Sequence, residues 1–189
     1  MKEIIRFGLI LFGISFVAAI ALKTTDQITA GPIQDQINSA NEIARKAVFP
    51  EAETFEPIDQ STLDELKGDF DILKEVFYAK KGNEILGFVV KTTPNGFSGA
   101  IEVITGISAD AKLTGVRIGN MTETPGLGDI AKKPEFYEQY AGKAITTEIG
   151  VAKSAPKDNE IQALTGATIT SKAVTLGVNT AIQIVEFIK

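Results

Sequence analysis

Residues 84–107 read EILGFVVKTTPNGFSGAIEVITGI, and the fold of the whole chain turns on how this stretch is read. Two runs rich in β-branched and aromatic residues, 84–92 and 100–107, flank PNGFSG at 94–99, a cluster of turn formers. Short β-rich runs separated by a hairpin-length gap predict two antiparallel strands. The pattern continues outward on both sides. ILKEVFYAK from Ile72 lies upstream across a KGN turn, and LTGVRIGN from Leu113 lies downstream across a polar SADAK turn, so four strands of an antiparallel meander are expected. Further along, 132–142 is expected to form a short helix and KAITTEIGV, 143–151, another strand, while 51–70 reads as a loop with short helical turns. Val174, Val178, Ala181, Val185 and Ile188 recur at helical spacing, which predicts a closing amphipathic helix over 170–189. The sum is an α+β domain, a twisted antiparallel sheet with flanking helices.

Ahead of this domain, FGLILFGISFVAAIAL at 7–22 contains no charge. As a helix the run, extended by Ile4 and Ile5 across Arg6, is nearly long enough to cross a hydrocarbon core of about 30 Å. Lys2 and Arg6 precede it and only Lys23 closely follows, so the positive-inside bias predicts a cytoplasmic N-terminus and an extracytoplasmic domain. A cleavable signal peptide competes with the anchor, because AIA at 19–21 resembles a cleavage site. Pro32 is expected to break the chain, and the spacing of Ile33, Ile37, Ala40, Ala44, Ala47 and Val48 predicts an amphipathic helix after it. The expected division is therefore an anchor over 1–26, a connecting helix over 27–50 and a domain over 51–189.

Composition narrows the chemistry. A net charge of -5 excludes the basic character that tracks nucleic acid. The 189 residues include no Cys and no His, which removes thiolate nucleophiles, Cys-ligated clusters, the usual zinc and haem ligands and the usual general base. Any redox chemistry must therefore come from an imported organic cofactor.

Two further stretches could hold one. In LTGATITSK, 164–172, Gly166 lets the backbone turn closely, Ala167 keeps the surface small, and Thr165, Thr168, Thr170 and Ser171 place hydroxyls around the predicted helix start. A phosphate is favoured there by free helix N–H groups and the positive end of the dipole. The plainer alternative is a hydroxyl-capped helix after a small-residue turn. In NMTETPGLGDI, 120–130, Pro125, Gly126 and Gly128 make a tight loop of little bulk that suits a flat aromatic ligand, or simply a connection between strand and helix. PNGFSG reads first as a plain hairpin turn, with Ser98 as the residue that could meet a ligand.

In order along the chain, GFSG, ETPGLG and TGATITS resemble the FMN-binding domain of the G subunit of the Rnf complex, and of the related C subunit of the sodium-translocating NADH:quinone reductase. The resemblance covers essentially the whole chain. It implies FMN joined through its phosphate to the last threonine of the TGAT run, Thr168, with Thr165, Gly166, Ala167, Ile169 and Thr170 around the attachment point. It further implies that Glu123, Thr124, Pro125, Gly126 and Leu127 lie beside the isoalloxazine, with Lys153 near the flavin. Asn120 stands where many relatives have His, and Gln162 where the attaching enzyme usually finds Asp. No metal site belongs to the pattern. A separate metal-dependent flavin transferase, and the membrane and iron–sulfur subunits of an ion-pumping ferredoxin:NAD oxidoreductase, are the partners implied. The resemblance implies a subunit that relays electrons and has no complete catalytic site of its own. A stand-alone anchored flavoprotein feeding an extracytoplasmic reductase, and the quinone-reductase subunit, are the alternatives.

Overall fold

A computed structural model describes residues 2–188. Two compact units follow one another, Met1–Glu42 and Ile43–Lys189. Helix α1, Lys2–Val48, supplies all described residues of the first unit and opens the second. In the first unit the apolar run is exposed on every side, with Phe7, Leu11, Phe12 and Val17 each about two-thirds accessible. The helix is long and apolar enough to cross a membrane. A helix apolar all round has no water-facing side, which is the character of a lipid-embedded segment.

Pro32 lies inside α1 and does not end it, contrary to the expected break. A proline ring removes one backbone hydrogen bond and crowds one carbonyl, a local cost of about 3 kcal/mol. The helical turns on both sides outweigh that cost here. The last turn of α1 belongs to the second unit.

The second unit is built on a five-stranded antiparallel sheet in the order β1-β2-β3-β4-β5. Its strands are β1 (Thr54–Pro57), β2 (Leu73–Lys81), β3 (Glu84–Thr92), β4 (Ile101–Ser108) and β5 (Leu113–Met121). The last four are the strands expected from the β-rich runs and their hairpin-length gaps. β1 sits at an edge, is only four residues long and ends in proline, so it carries almost no periodic signal. Helix α2, Gln60–Asp69, fills much of the segment expected to be loop; its N-cap Asp59 accepts from the Thr62 N–H at 2.9 Å.

The two faces of the sheet are covered differently. One buries Val76, Val90, Val103, Ile107 and Val116 beneath the closing helix α4, Thr168–Ile188, whose Val174, Val178, Ala181 and Val185 are buried. The other face receives the end of α1: Val48, Phe49 and Ala52 pack with Ala79, Val89 and Ile104. Here the backbones come close. A Cβ on Gly106 would sit 2.6 Å from the Val48 carbonyl oxygen, and one on Gly87 would be 2.8 Å from the Phe49 ring. Thr114 Oγ1 donates to that same Val48 carbonyl, which the helix end leaves without an internal partner.

After β5, the segment expected to be one helix is three short pieces: a 3₁₀ turn Gly128–Lys132, helix α3 (Pro134–Tyr137) and a second 3₁₀ turn Glu138–Tyr140. The Arg117 guanidinium of β5 lies 4.3 Å from the centre of the Tyr137 ring and helps hold these pieces on the sheet edge. Tyr140 is fully buried and pairs with Thr175 Oγ1 at 2.7 Å; burial pushes its phenol well above the usual range.

KAITTEIGV is not one strand, a correction to the expectation: only its last two residues, Gly150 and Val151, enter a strand. Its backbone instead closes the β4–β5 hairpin, with Leu113 N–H donating to Lys143 O at 3.0 Å and Ile145 N–H to Ala111 O at 3.1 Å. Pairing resumes only at β6, Gly150–Ala152, which runs parallel to an unanticipated β7, Glu160–Gln162. Asn179 of α4 steadies this pair from below: its amide accepts from Ile149 N–H at 3.0 Å and donates to Ile149 O at 2.9 Å.

Candidate functional site

The three small-residue stretches converge. PNGFSG forms the β3–β4 hairpin, ETPGLG leaves β5, and TGATITS carries the chain from β7 into α4. Between them lies a half-open cavity of about 340 Å³, lined by Phe97, Glu123, Thr124, Leu127 and Gly128 and by residues 166–170. That volume is at the small end of ligand pockets.

The α4 side is built by a tight turn. Gly166 sits at φ +80°, in the left-handed region where a side chain is strained, and the Ala167 N–H closes the turn on Leu164 O at 3.0 Å. The helix starts at Thr168, two residues earlier than its periodicity predicts. Its cap position is Ala167, which has no side-chain acceptor. Most helices place Ser, Thr, Asp or Asn there to satisfy a first-turn N–H.

The hydroxyls of this run have different fates. Thr170 is buried and donates to Glu123 Oε2 at 2.7 Å. Ser171 is buried, donates to Ala167 O at 3.0 Å and accepts from Leu164 N–H at 2.9 Å. Thr165 is exposed but does not line the cavity. Thr168 is half-buried and does line it.

The ETPGLG side behaves unlike a simple flavin-facing loop. Glu123 is buried, and its carboxylate turns inward: Oε1 accepts from the backbone N–H groups of Phe97 at 2.8 Å and Ser98 at 3.0 Å. Thr124 and Leu127 line the cavity, while Pro125 and Gly126 are exposed at the outside of the loop, Gly126 with φ +77°. Ser98 takes part through its backbone; its side chain is exposed. Lys153 is exposed just beyond β6 and does not line the cavity. Asn120 is exposed, its N–H held by Glu102 Oε2 at 2.9 Å, and Gln162 exchanges backbone bonds with the Gln139 amide.

Two lining residues have roles that the sequence did not show. Phe97 is 69% exposed at the mouth of the cavity, and an aromatic at a hairpin tip, where no core can reach it, is the signal that marks it. Gly128 is the other. A Cβ there would lie 2.5 Å from Glu123 Oε2 and 2.8 Å from Thr170 Oγ1, so only glycine leaves room for that hydrogen bond. Among the described residues no cluster of three or more acidic, His or Cys side chains could hold a metal.

An antiparallel sheet closed by one helix, with a small-residue cavity at the helix N-terminus, defines an anion-accepting cofactor domain on an α+β scaffold. Residues 96–183 match the family model of the FMN-binding domain. The G subunit of the Na(+)-translocating ferredoxin:NAD(+) oxidoreductase complex of Acetobacterium woodii is 42% identical over 193 residues, covering 98% of this chain and 93% of that one. The G subunit of the ion-translocating oxidoreductase complex of Methanosarcina acetivorans is 32% identical, covering 98% and 96%. The crystal structure of Shewanella oneidensis NqrC superposes with a TM-score of 0.53 at 22% identity, over 58% of this chain and 55% of that one, a likeness of fold. The chain belongs to the family of FMN-binding G subunits of ion-translocating oxidoreductase complexes.

Proposed function

We propose that this chain is the electron-relay subunit of a membrane-bound, ion-translocating ferredoxin:NAD oxidoreductase, and that it carries FMN as a phosphate ester of Thr168. One observation carries the assignment: of the hydroxyls in 165–171, Thr168 alone is both accessible and on the cavity. An ester on its Oγ1 lies at the positive end of the α4 dipole, where first-turn N–H groups have no carbonyl four residues back. Ala167, in place of a capping side chain, leaves those donors to the phosphate. The residues therefore fit the group.

When bound, FMN exchanges electrons singly or in pairs, which a chain without Cys or His cannot do by itself. Leu127, Ile169 and Phe97 offer it an apolar border, and the open side of the cavity leaves one edge accessible to donor and acceptor centres on other subunits. A threonine hydroxyl is a poor nucleophile at neutral pH, so a separate metal-dependent flavin transferase forms the ester by passing FMN from FAD, breaking the FAD pyrophosphate and releasing AMP and the hydroxyl proton. The apolar part of α1 anchors the chain through residues 1–26, residues 27–50 connect, and 51–189 form the FMN domain. The charges before the span favour a cytoplasmic N-terminus and a domain outside.

Intact-protein and peptide mass spectrometry of the full chain from its native membrane tests the assignment. The adduct is expected on the peptide containing Thr168, to be lost entirely in Thr168→Ala and retained in Thr170→Ala. An adduct that survives Thr168→Ala, or maps to another residue, overturns it.

A further inference from the structure

One carboxylate joins all three loops of the cavity. Glu123 belongs to ETPGLG, its Oε1 binds two consecutive N–H groups of the GFSG hairpin, and its Oε2 binds Thr170 of TGATITS. Its side chain reaches across 26 residues of sequence in one direction and 47 in the other. Space for it is left by two glycines. A Cβ on Gly96 would strike Glu123 Oε1, and a Cβ on Gly128 would strike Oε2. The residue is 7% exposed, so its acceptor sites point into protein and away from the cavity's open side.

We propose that Glu123 is a positioning residue: it fixes Phe97 and Leu127 against the start of α4, and so sets the surroundings of the flavin. This rests on the reading of the cavity as the FMN site. A buried carboxylate satisfied by three donors is stiff, because any loop that moves away leaves charge or N–H unpaired in a dry place. The N–H groups of Phe97 and Ser98 depend on it, since the tip's other ties, the Asn95–Ala100 bridge, the Gly96 N–H to Gly99 O at 2.7 Å and the Thr122 hydroxyl to Ser98 O at 3.4 Å, leave both N–H groups unheld. With Glu123 gone, Phe97 is free to swing out, while the Thr168 hydroxyl keeps its place on α4.

The test uses the full chain in detergent with Glu123→Ala and Glu123→Gln, each prepared with and without the flavin transferase. In the flavin-free proteins, amide hydrogen exchange is read on the peptide holding Phe97 and Ser98. Glu123→Ala is expected to speed it at least about tenfold, equivalent to about 1.4 kcal/mol. Peptides of β4 serve as an internal control for an intact sheet. Glu123→Gln keeps an acceptor for both N–H groups and can donate to Thr170 Oγ1, so it is expected to stay within about threefold of wild type. In the loaded proteins, Glu123→Ala is expected to retain the adduct but to show a solution-like flavin spectrum and several-fold brighter emission, which the Gln variant restores. Unchanged exchange at 97–98 in Glu123→Ala, a wild-type flavin spectrum in that variant, or a Gln variant no better than Ala overturns the proposal. Absence of an adduct on wild type would sink the flavin reading alone, because the exchange measurement judges the clamp without flavin.

Discussion

The two ends of the sheet use the missing Cβ of glycine for opposite purposes. At the end of α1, Gly87 and Gly106 let backbone meet backbone, and Val48, Phe49 and Ile104 fill what remains. At the cavity, Gly96 and Gly128 admit a single carboxylate, and the volume beside it stays open. The first region is held by apolar burial, which is non-directional and tolerates no added atom. The second is held by three hydrogen bonds, which fix direction and leave room. Stability and access are thus assigned to different places in one domain.

The contrast can be broken by mutation. Ile104→Ala, on the α1 side, empties a position that is 3% exposed and is expected to lower unfolding free energy by about 2–5 kcal/mol, measured by denaturant melts. Covalent loading per folded molecule should not change. Gly128→Ala, on the cavity side, pushes a methyl against Glu123 and Thr170 and is expected to destabilise by only about 1–3 kcal/mol. Its flavin emission should nevertheless shift clearly, and if Ile104→Ala perturbs the flavin more than Gly128→Ala does, the division of labour is wrong. The smallest effect falls outside both regions. Hydrogen bonds, first from the Ser61 hydroxyl and then from the Thr62 N–H, hold the Asp59 carboxyl down at about 2 against an ordinary 3.8. A depressed carboxylate contributes stability that is whole above the unfolded value and is lost as pH falls from about 4 toward 2. Asp59→Asn should flatten the acid limb of thermal stability over that window, and only slightly, because the group is fully exposed.

What could be read without coordinates follows from how local each signal is. β2 to β5 announce themselves as β-rich runs between hairpin-length turns, and α4 by the helical period that burial of one face imposes on it. β1 and β7 do not, being three or four residues long and defined by their partners. KAITTEIGV misleads for a related reason: its β-branched residues satisfy strand propensity, but Gly142 at φ +76° turns the chain onto the β4–β5 hairpin first. Pro32 misleads because a proline's penalty is local, while the helix around it is long. The motifs located the cavity, and composition required that any redox group be foreign. The inward turn of Glu123 was hidden, since its partners at 97 and 98 lie a hairpin and two strands away. No pattern within ETPGLG could reveal it.

Ala167 has a consequence for biogenesis. A helix that begins without a cap is an unfinished one, and whatever anion comes to rest at its first turn completes it. On the reading proposed here, esterification of Thr168 does more than install a redox group: it ties α4 down at the moment of maturation. Chains that have received their flavin should therefore outlast those that have not when challenged by heat or protease, so that a membrane holding both would come to hold mostly the finished form.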